Sequence, residues 1–108
     1  MSELAMRKLH VYLDEEIKNS KKDIPKSIQK AFKRLEEEWD SIAWASFEGG
    51  FPKAAYVGSC ALVSVVVDNK LYVANAGDSK AVLIRQTSDD TYERVKISKT
   101  FNANKKYE

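Results

Sequence analysis

The segment Gly58–Arg85 constrains the fold of this chain most strongly, because it joins an apolar strand, a tight turn and an acidic tip at Gly77–Ser79. The residues Ala61–Val67 are apolar on both strand faces and are broken only by Ser64. Such a run is typical of a strand covered on both sides. Residues 68–70, Asp-Asn-Lys, supply a turn, and Leu71–Ala74 returns as a second strand. This pattern predicts a buried β-hairpin.

Helical periodicity predicts two helices before the hairpin, over residues about 3–18 and about 25–44. The second helix is better defined, because apolar residues recur at spacings of three and four from Ile24 to Ala43. Pro25 falls in the first turn, where a helix tolerates proline. The run Gly49–Pro52 relaxes the backbone and removes an amide donor, so it should end this helix.

Two more strands are predicted after the acidic tip, at Ala81–Arg85 and at Tyr92–Ile97. We therefore expect one domain over residues 1–108, with its strands within residues 58–97 and an irregular polar tail over 98–108. The fold class is α+β, with two helices packed on one face of an antiparallel β-meander. Strands that are apolar on both faces need cover on both sides, which two helices cannot supply. We therefore expect a protein partner on the other face, within a multi-subunit assembly.

Composition restricts the classes of function. The chain is 44% hydrophobic and 31% charged with a formal net charge of +2, which is typical of a folded soluble protein and indicates no nucleic-acid surface. One cysteine and one histidine exclude an intrachain disulfide and a Cys/His zinc site. No apolar run approaches the ~20 residues of a membrane span, and the acidic N-terminus does not resemble a signal peptide. We expect an intracellular protein.

Asp78 is the one candidate metal ligand in the sequence. It follows Gly77 between two apolar strands, where the backbone can bend and a hard cation could approach the carboxylate. The alternative, which the residues alone favour, is that Asp78 caps the turn by accepting hydrogen bonds from nearby amides. No catalytic or cofactor-binding residue is assigned, and we expect no cofactor for this chain alone.

Other conspicuous residues have structural interpretations. Cys60 lies among apolar residues, which predicts a packed core thiol rather than a reactive nucleophile. His10 has polar neighbours and is predicted at the surface. Trp39 and Trp44 could form a partner-binding aromatic patch, but Trp39 falls on the apolar stripe of the second helix and is predicted in the core.

Two segments, Gly58–Ala61 and Val73–Val82, together resemble consecutive motifs of the metal-dependent protein serine/threonine phosphatases of type 2C, the PPM family. The resemblance implies that the chain corresponds to part of that family's α/β sandwich. It also implies that the Gly-Asp-Ser segment lies at the rim of a binuclear Mn or Mg centre. Asp78 would then match an aspartate associated with an additional metal position, and Ser79 and Lys80 would match the Ser-Arg that usually follows.

The chain also departs from the family pattern. The Asp-Gly-His-Gly-Gly motif and a phosphate-binding arginine are expected before the first helix, and Asp-Gly and Gly-x-x-Asp-Asn elements after the tail, but these 108 residues contain none of them. Where the family usually has Asp-His after the meander, this chain has Thr100 and Phe101. Cys60 stands where threonine is usual.

Three hypotheses about function follow. The first is a non-catalytic, pseudophosphatase-like structural subunit of a larger assembly. The second is a fragment of an active Mn/Mg-dependent protein serine/threonine phosphatase. The third is a module that binds phosphoproteins without cleaving them, although no arginine cluster suited to phosphate capture is apparent.

Overall fold

A computed structural model describes residues 1–20 and 23–101. The chain divides into two compact units, a helical unit that ends at Ser59 and a strand unit that begins at Cys60. The elements of the described ranges follow one another along the chain. They are α1 (Ser2–Asn19), α2 (Ile24–Glu48), a 3₁₀ turn (Pro52–Tyr56), β1 (Ala61–Val67), β2 (Lys70–Ala76), β3 (Val82–Ser88) and β4 (Thr91–Lys96).

Helix α2 begins at a capped N-terminus. The Asp23 carboxylate accepts a hydrogen bond from the backbone amide of Lys26 at 3.3 Å, and Pro25 lies in the first turn as predicted. The helix continues four residues beyond the predicted end at Trp44, because no glycine or proline interrupts it before Gly49. Gly50, with a φ of +87°, then turns the chain away from the helical path.

The two helices form an antiparallel pair. Their side-chain contacts run from Ser20 with Ser27 at one end to Tyr12 with Glu38 further along. The buried core of this unit is a stripe of α2 with spacings of three and four. It comprises Ile24, Ser27, Ile28, Ala31 and Leu35. Burial of the four apolar side chains of this stripe, rather than intrinsic helix propensity, is the main source of stability for such a pair.

The strand unit consists of two hairpins. In the first, β1 pairs with β2 in antiparallel register from Ala61 opposite Ala76 to Val67 opposite Lys70. Its two-residue turn places Asp68 and Asn69 at φ +50° and +62°, the left-handed region that these two residue types tolerate.

The second hairpin pairs β3 with β4, from Val82 opposite Lys96 to Ser88 opposite Thr91, with an irregularity between Gln86 and Ser88. The described strands thus form two two-stranded sheets, with no ladder between β2 and β3. Gly77, at φ +115°, redirects the chain between them. The predicted α+β class is confirmed, and all four predicted strands are present to within about three residues at each end.

Side-chain exposure differs between the two faces of β1. Its odd-numbered positions are partly buried, while Leu62 and Val66 on the other face are exposed, Val66 by 73%. All of β3 is exposed, including Ile84 by 71%. The predicted partner that would cover such a face stays a prediction.

Of the predicted irregular tail, residues 98–101 follow β4 without regular structure, and residues 102–108 lie outside the described residues. None of the helices in the described ranges combines the length and apolar character needed to cross a bilayer.

Candidate functional site

The site is built where the start of β1 meets the end of β2. Because Ala61 pairs with Ala76, Cys60 and Gly77 lie beside each other just beyond the ladder. A Cβ atom on Gly77 would lie 2.9 Å from the Cβ atom of Cys60, closer than side-chain atoms pack. The two sequence segments that carry the family resemblance therefore contact each other directly, and the contact requires a glycine.

Asp78 is exposed immediately after this contact. Its Oδ1 atom accepts a hydrogen bond from the Sγ atom of Cys60 at 3.4 Å. Within the described residues the hydrogen bond to this carboxylate comes from a thiol, whereas the turn-capping alternative requires backbone amides. The carboxylate is accessible to solvent at the end of a strand, and its role as a metal ligand stays a prediction.

Cys60 itself is exposed, so the prediction of a packed core thiol was wrong. The reason is its position: it precedes β1 and lies over the backbone of Gly77, outside the apolar run that begins at Ala61. His10 is exposed, which confirms its prediction as a surface residue. Trp39 is partly buried, and Trp44 is 64% exposed.

Asn75 holds the loop that carries Asp78. Its side-chain Nδ2 donates to three carbonyl oxygens, those of Gly77 at 3.0 Å, Ser79 at 2.9 Å and Lys99 at 2.7 Å. Two of these acceptors flank Asp78 in the chain, and the third belongs to the segment after β4. Reasoning from the sequence did not assign Asn75. An asparagine at the end of a strand, two residues before a loop glycine, was the available signal.

The segment Lys99–Phe101 lies against the same loop. The amide of Phe101 donates to the carbonyl of Gly77 at 2.9 Å, and Thr100 is only 8% exposed. The Lys99 ammonium lies 5.6 Å from the centroid of the Phe101 ring. The structure therefore brings the residues that depart from the family pattern next to the residues that match it.

The described residues do not by themselves make up a metal centre. Across residues 1–20 and 23–101, no three His, Cys, Asp or Glu side chains come together as a ligand set. Mn²⁺ and Mg²⁺ prefer several oxygen ligands, and here Asp78 contributes one carboxylate with a thiol as its neighbour. The residues present therefore do not fit a binuclear centre, and Asp78 could supply only one ligand.

A charged cluster joins the two helices of the other unit. The guanidinium of Arg34 lies 4.1 Å from the centroid of the Tyr12 ring and bonds to Glu15 at 2.8 Å and to Glu16 at 3.2 Å. The Tyr12 hydroxyl donates to Glu38. This hydrogen bond, with smaller effects of desolvation and nearby charge, raises the pKa of Tyr12 above its ordinary value of 10.0. The cluster links the two helices, because Arg34 and Glu38 of α2 bind Tyr12, Glu15 and Glu16 of α1.

The end of α2 also carries an apolar groove. It is lined by Asp40, Ala43, Trp44, Phe47 and Ala55. The rings of Trp44 and Phe47 stack with centroids 6.0 Å apart. Trp44 thus stacks with Phe47, and Trp39, the other tryptophan considered for an aromatic patch, is not among the lining residues. The use of this groove in binding a partner stays a prediction.

Comparison with known proteins identifies the family of the chain. A family model described as Protein phosphatase 2C matches residues 1–108. The chain is 59% identical over 56 residues to "Probable protein phosphatase 2C 64" of Arabidopsis thaliana, and this match covers 52% of this chain and 14% of that protein. It is 48% identical over 63 residues to "Probable protein phosphatase 2C 78" of Oryza sativa subsp. japonica, covering 58% and 16%.

A longer match, of 36% identity over 78 residues, is to "Probable protein phosphatase 2C 42" of Arabidopsis thaliana and covers 72% of this chain and 20% of that protein. No solved structure gives a significant match. The chain spans a fifth or less of the length of these curated relatives. Since the family model matches this chain from residue 1 to residue 108, the chain belongs to the protein phosphatase 2C family.

Proposed function

We propose that this chain contributes the Asp78 loop to a metal-dependent protein serine/threonine phosphatase domain, and that Asp78 supplies one oxygen ligand to a Mn²⁺ or Mg²⁺ ion there. The observation that carries the proposal is the exposed Asp78 carboxylate on a loop tied down on both sides by Asn75. A fixed, solvent-accessible carboxylate can bind a hard cation without first being ordered. Membership in the protein phosphatase 2C family supports the choice of reaction.

By this proposal the 108-residue chain has no phosphatase activity in isolation. A two-metal hydrolytic site needs several carboxylates around both ions, and the described residues offer Asp78 alone at this loop. Activity would depend on ligands supplied by other segments, in the same polypeptide or in another chain. Function lies in the assembled site rather than in the scaffold.

A chimera tests the proposal. The matching segment of the Arabidopsis relative with 59% identity would be replaced by this chain's residues, and Mn²⁺-dependent hydrolysis of a phosphothreonine peptide would be measured beside the unaltered relative. We expect the chimera to be active, and Asp78→Asn to raise the Mn²⁺ concentration needed for half-maximal rate.

Asp68→Asn is the matched control, because it makes the same chemical change at the β1–β2 turn, where asparagine also tolerates the positive φ. It should leave the Mn²⁺ dependence unchanged. A chimera without activity beside an active relative would sink the proposal. Equal effects of the two substitutions would remove Asp78 from the metal site.

A second candidate function is a non-catalytic, structural subunit of a larger assembly. Two observations favour it. Apolar side chains of the hairpins are exposed, such as Val66 and Ile84, and Thr100 and Phe101 stand where the family usually has an Asp-His pair. Native mass spectrometry of the protein isolated from its source separates the two candidates. A mass near 12.3 kDa with a stoichiometric partner supports the subunit. A much heavier polypeptide containing this segment supports the phosphatase. A monomer near 12.3 kDa that has no partner and unfolds cooperatively counts against the subunit.

A further inference from the structure

We propose that Asn75 is the positioning residue of this site: its side-chain amide joins the Asp78 loop to the Lys99–Phe101 segment and so fixes where the Asp78 carboxylate points. The inference rests on the proposed function for its catalytic consequence. We call the three hydrogen bonds from Asn75 to the carbonyls of Gly77, Ser79 and Lys99 the clamp. The clamp lies within the strand unit and can be tested apart from any activity.

The geometry of the clamp is specific to an amide donor. Nδ2 of Asn75 lies within 3.0 Å of three carbonyl oxygens, so every one of these contacts requires a hydrogen-bond donor. The group has two N–H protons for three acceptors, and at least one proton is therefore shared. A carboxylate at this position would face three oxygens with no proton, and an apolar side chain would leave them without this donor.

The clamp closes a loop between distant parts of the chain. Asn75 lies on β2, and Lys99 follows β4, 24 residues later. The Gly77 carbonyl accepts from Nδ2 of Asn75 and also from the amide of Phe101, at 3.0 Å and 2.9 Å. Both lone pairs of this oxygen are thus used. The backbone amide of Phe101 and the side-chain amide of Asn75 hold the same peptide unit, the one that leads into Asp78.

Asp78 depends on this arrangement because it lies between two clamped carbonyls. The carbonyl of Gly77 precedes it and the carbonyl of Ser79 follows it, and both accept from Asn75. With the backbone held on both sides, the Cα–Cβ direction of Asp78 is set, and its Oδ1 atom accepts a hydrogen bond from the Sγ atom of Cys60. Asn75 does not contact the metal position in this proposal, so it acts only through Asp78.

Amide hydrogen exchange on the 108-residue chain tests the clamp. We expect Asn75→Ala to reduce the protection of the Phe101 amide by about tenfold or more, because its acceptor on Gly77 is no longer held. Amides in the middle of the β1–β2 ladder serve as the internal control and should keep their protection. Unchanged protection of Phe101 would overturn the clamp. Loss of protection along the whole ladder would overturn it as a local device.

Asn75→Asp provides a second variant that separates hydrogen bonding from shape. The ionised carboxylate that it introduces cannot donate, whereas the protonated form offers one O–H. Phe101 protection in this variant should therefore recover in part as the pH falls below the pKa of the introduced carboxyl group, while Asn75→Ala shows no such recovery. Among the described residues, Cys60, Asp78 and Lys80 belong to this loop or contact it, and Lys99 lies in the segment bonded to it; all four are retained in Asn75→Ala. The same recovery in both variants would overturn the role of the donor.

A double-mutant comparison in the chimera tests the positioning role. Asn75→Ala should raise the Mn²⁺ concentration needed for half-maximal rate, as Asp78→Asn does. At saturating Mn²⁺ it should lower kcat less than Asp78→Asn does. The double variant should need no more Mn²⁺ than Asp78→Asn alone, because Asn75 acts through Asp78. Additive effects would overturn the positioning role, even if the exchange data confirm the clamp. An inactive chimera would instead contradict the proposed function and, with it, any catalytic consequence of the clamp.

Discussion

Cys60 occupies the space that a side chain on Gly77 would need. The two residues belong to separate sequence segments, yet a Cβ on Gly77 would lie 2.9 Å from the Cβ of Cys60, and the φ of Gly77 is +115°. Both the conformation and the contact therefore restrict this position to glycine. Since Asp78 follows directly, the orientation of the candidate metal ligand depends on this packing.

We expect Gly77→Ala to lower the free energy of unfolding by about 1–3 kcal/mol, through backbone strain and the clash with Cys60. Chemical denaturation monitored by circular dichroism measures the change. Gly58→Ala is the matched control, because Gly58 has an ordinary φ and open space around it, and its effect should stay within about 0.5 kcal/mol. Equal losses in the two variants would contradict the contact.

Ser27 stabilises the helix pair through a buried hydroxyl. It is fully buried, and the single proton of its hydroxyl is shared between two carbonyl oxygens, that of Glu16 on α1 at 3.2 Å and that of Asp23 at 2.8 Å from Oγ. Ser27→Ala should cost about 1 kcal/mol of unfolding free energy, because the bond between the helices is lost. Thermal or urea unfolding measures this cost.

Ser41→Ala is the comparison for Ser27, since Ser41 makes one exposed bond within its own helix, to the carbonyl of Glu37 at 3.0 Å. Its removal should change stability by less than about 0.5 kcal/mol. If Ser41→Ala lowered the free energy of unfolding as much as Ser27→Ala, the hydrogen bond between the helices would not be the source of the loss.

Arg34 should contribute more to stability than Lys33, its neighbour on α2. It lies over the Tyr12 ring and pairs with both Glu15 and Glu16, whereas Lys33 makes one exposed pair with Glu37 at 3.8 Å. We expect Arg34→Ala to lower the melting temperature more than Lys33→Ala does. Added salt should narrow the difference only in part, because the contact with the ring is screened less than an exposed ion pair. Equal melting temperatures would contradict the prediction.

Tyr12 should give the helix pair a dependence on alkaline pH. Because its bond to Glu38 raises the pKa of the folded phenol above 10.0, the neutral form is favoured by folding. The stability that the Tyr12 phenol contributes is fully present below its ordinary pKa and is lost as the pH rises through its pKa in the folded protein. The difference in melting temperature between wild type and Tyr12→Phe should therefore shrink from about pH 8 to about pH 11. Lys18, whose pKa is raised mainly by its hydrogen bond to Asp14, titrates in both proteins and cancels. A constant difference would contradict the assignment.

Much of the secondary structure could be predicted from local patterns. The stripe from Ile24 to Leu35, the breaker at Gly49 and the valine-rich run of β1 each act through near neighbours in the chain, so periodicity and turn residues suffice to place them. The end of α2 was predicted four residues too early, because amphipathic spacing weakens after Trp44 although the backbone pattern continues to Glu48.

The sequence by itself determined the order and type of the elements and the family motifs, and it made Asp78 the candidate metal ligand, since these depend on residues close together in the chain. Only the tertiary structure decided how the site is held: Cys60 over Gly77, Asn75 donating to three carbonyls, and Phe101 bonded to the same loop. Strand pairing and backbone acceptors bring these partners together from distant positions, 18 residues apart for Cys60 and Asp78 and 24 for Asn75 and Lys99. A backbone carbonyl has no signature in the sequence, so its partner becomes visible only once the chain has folded.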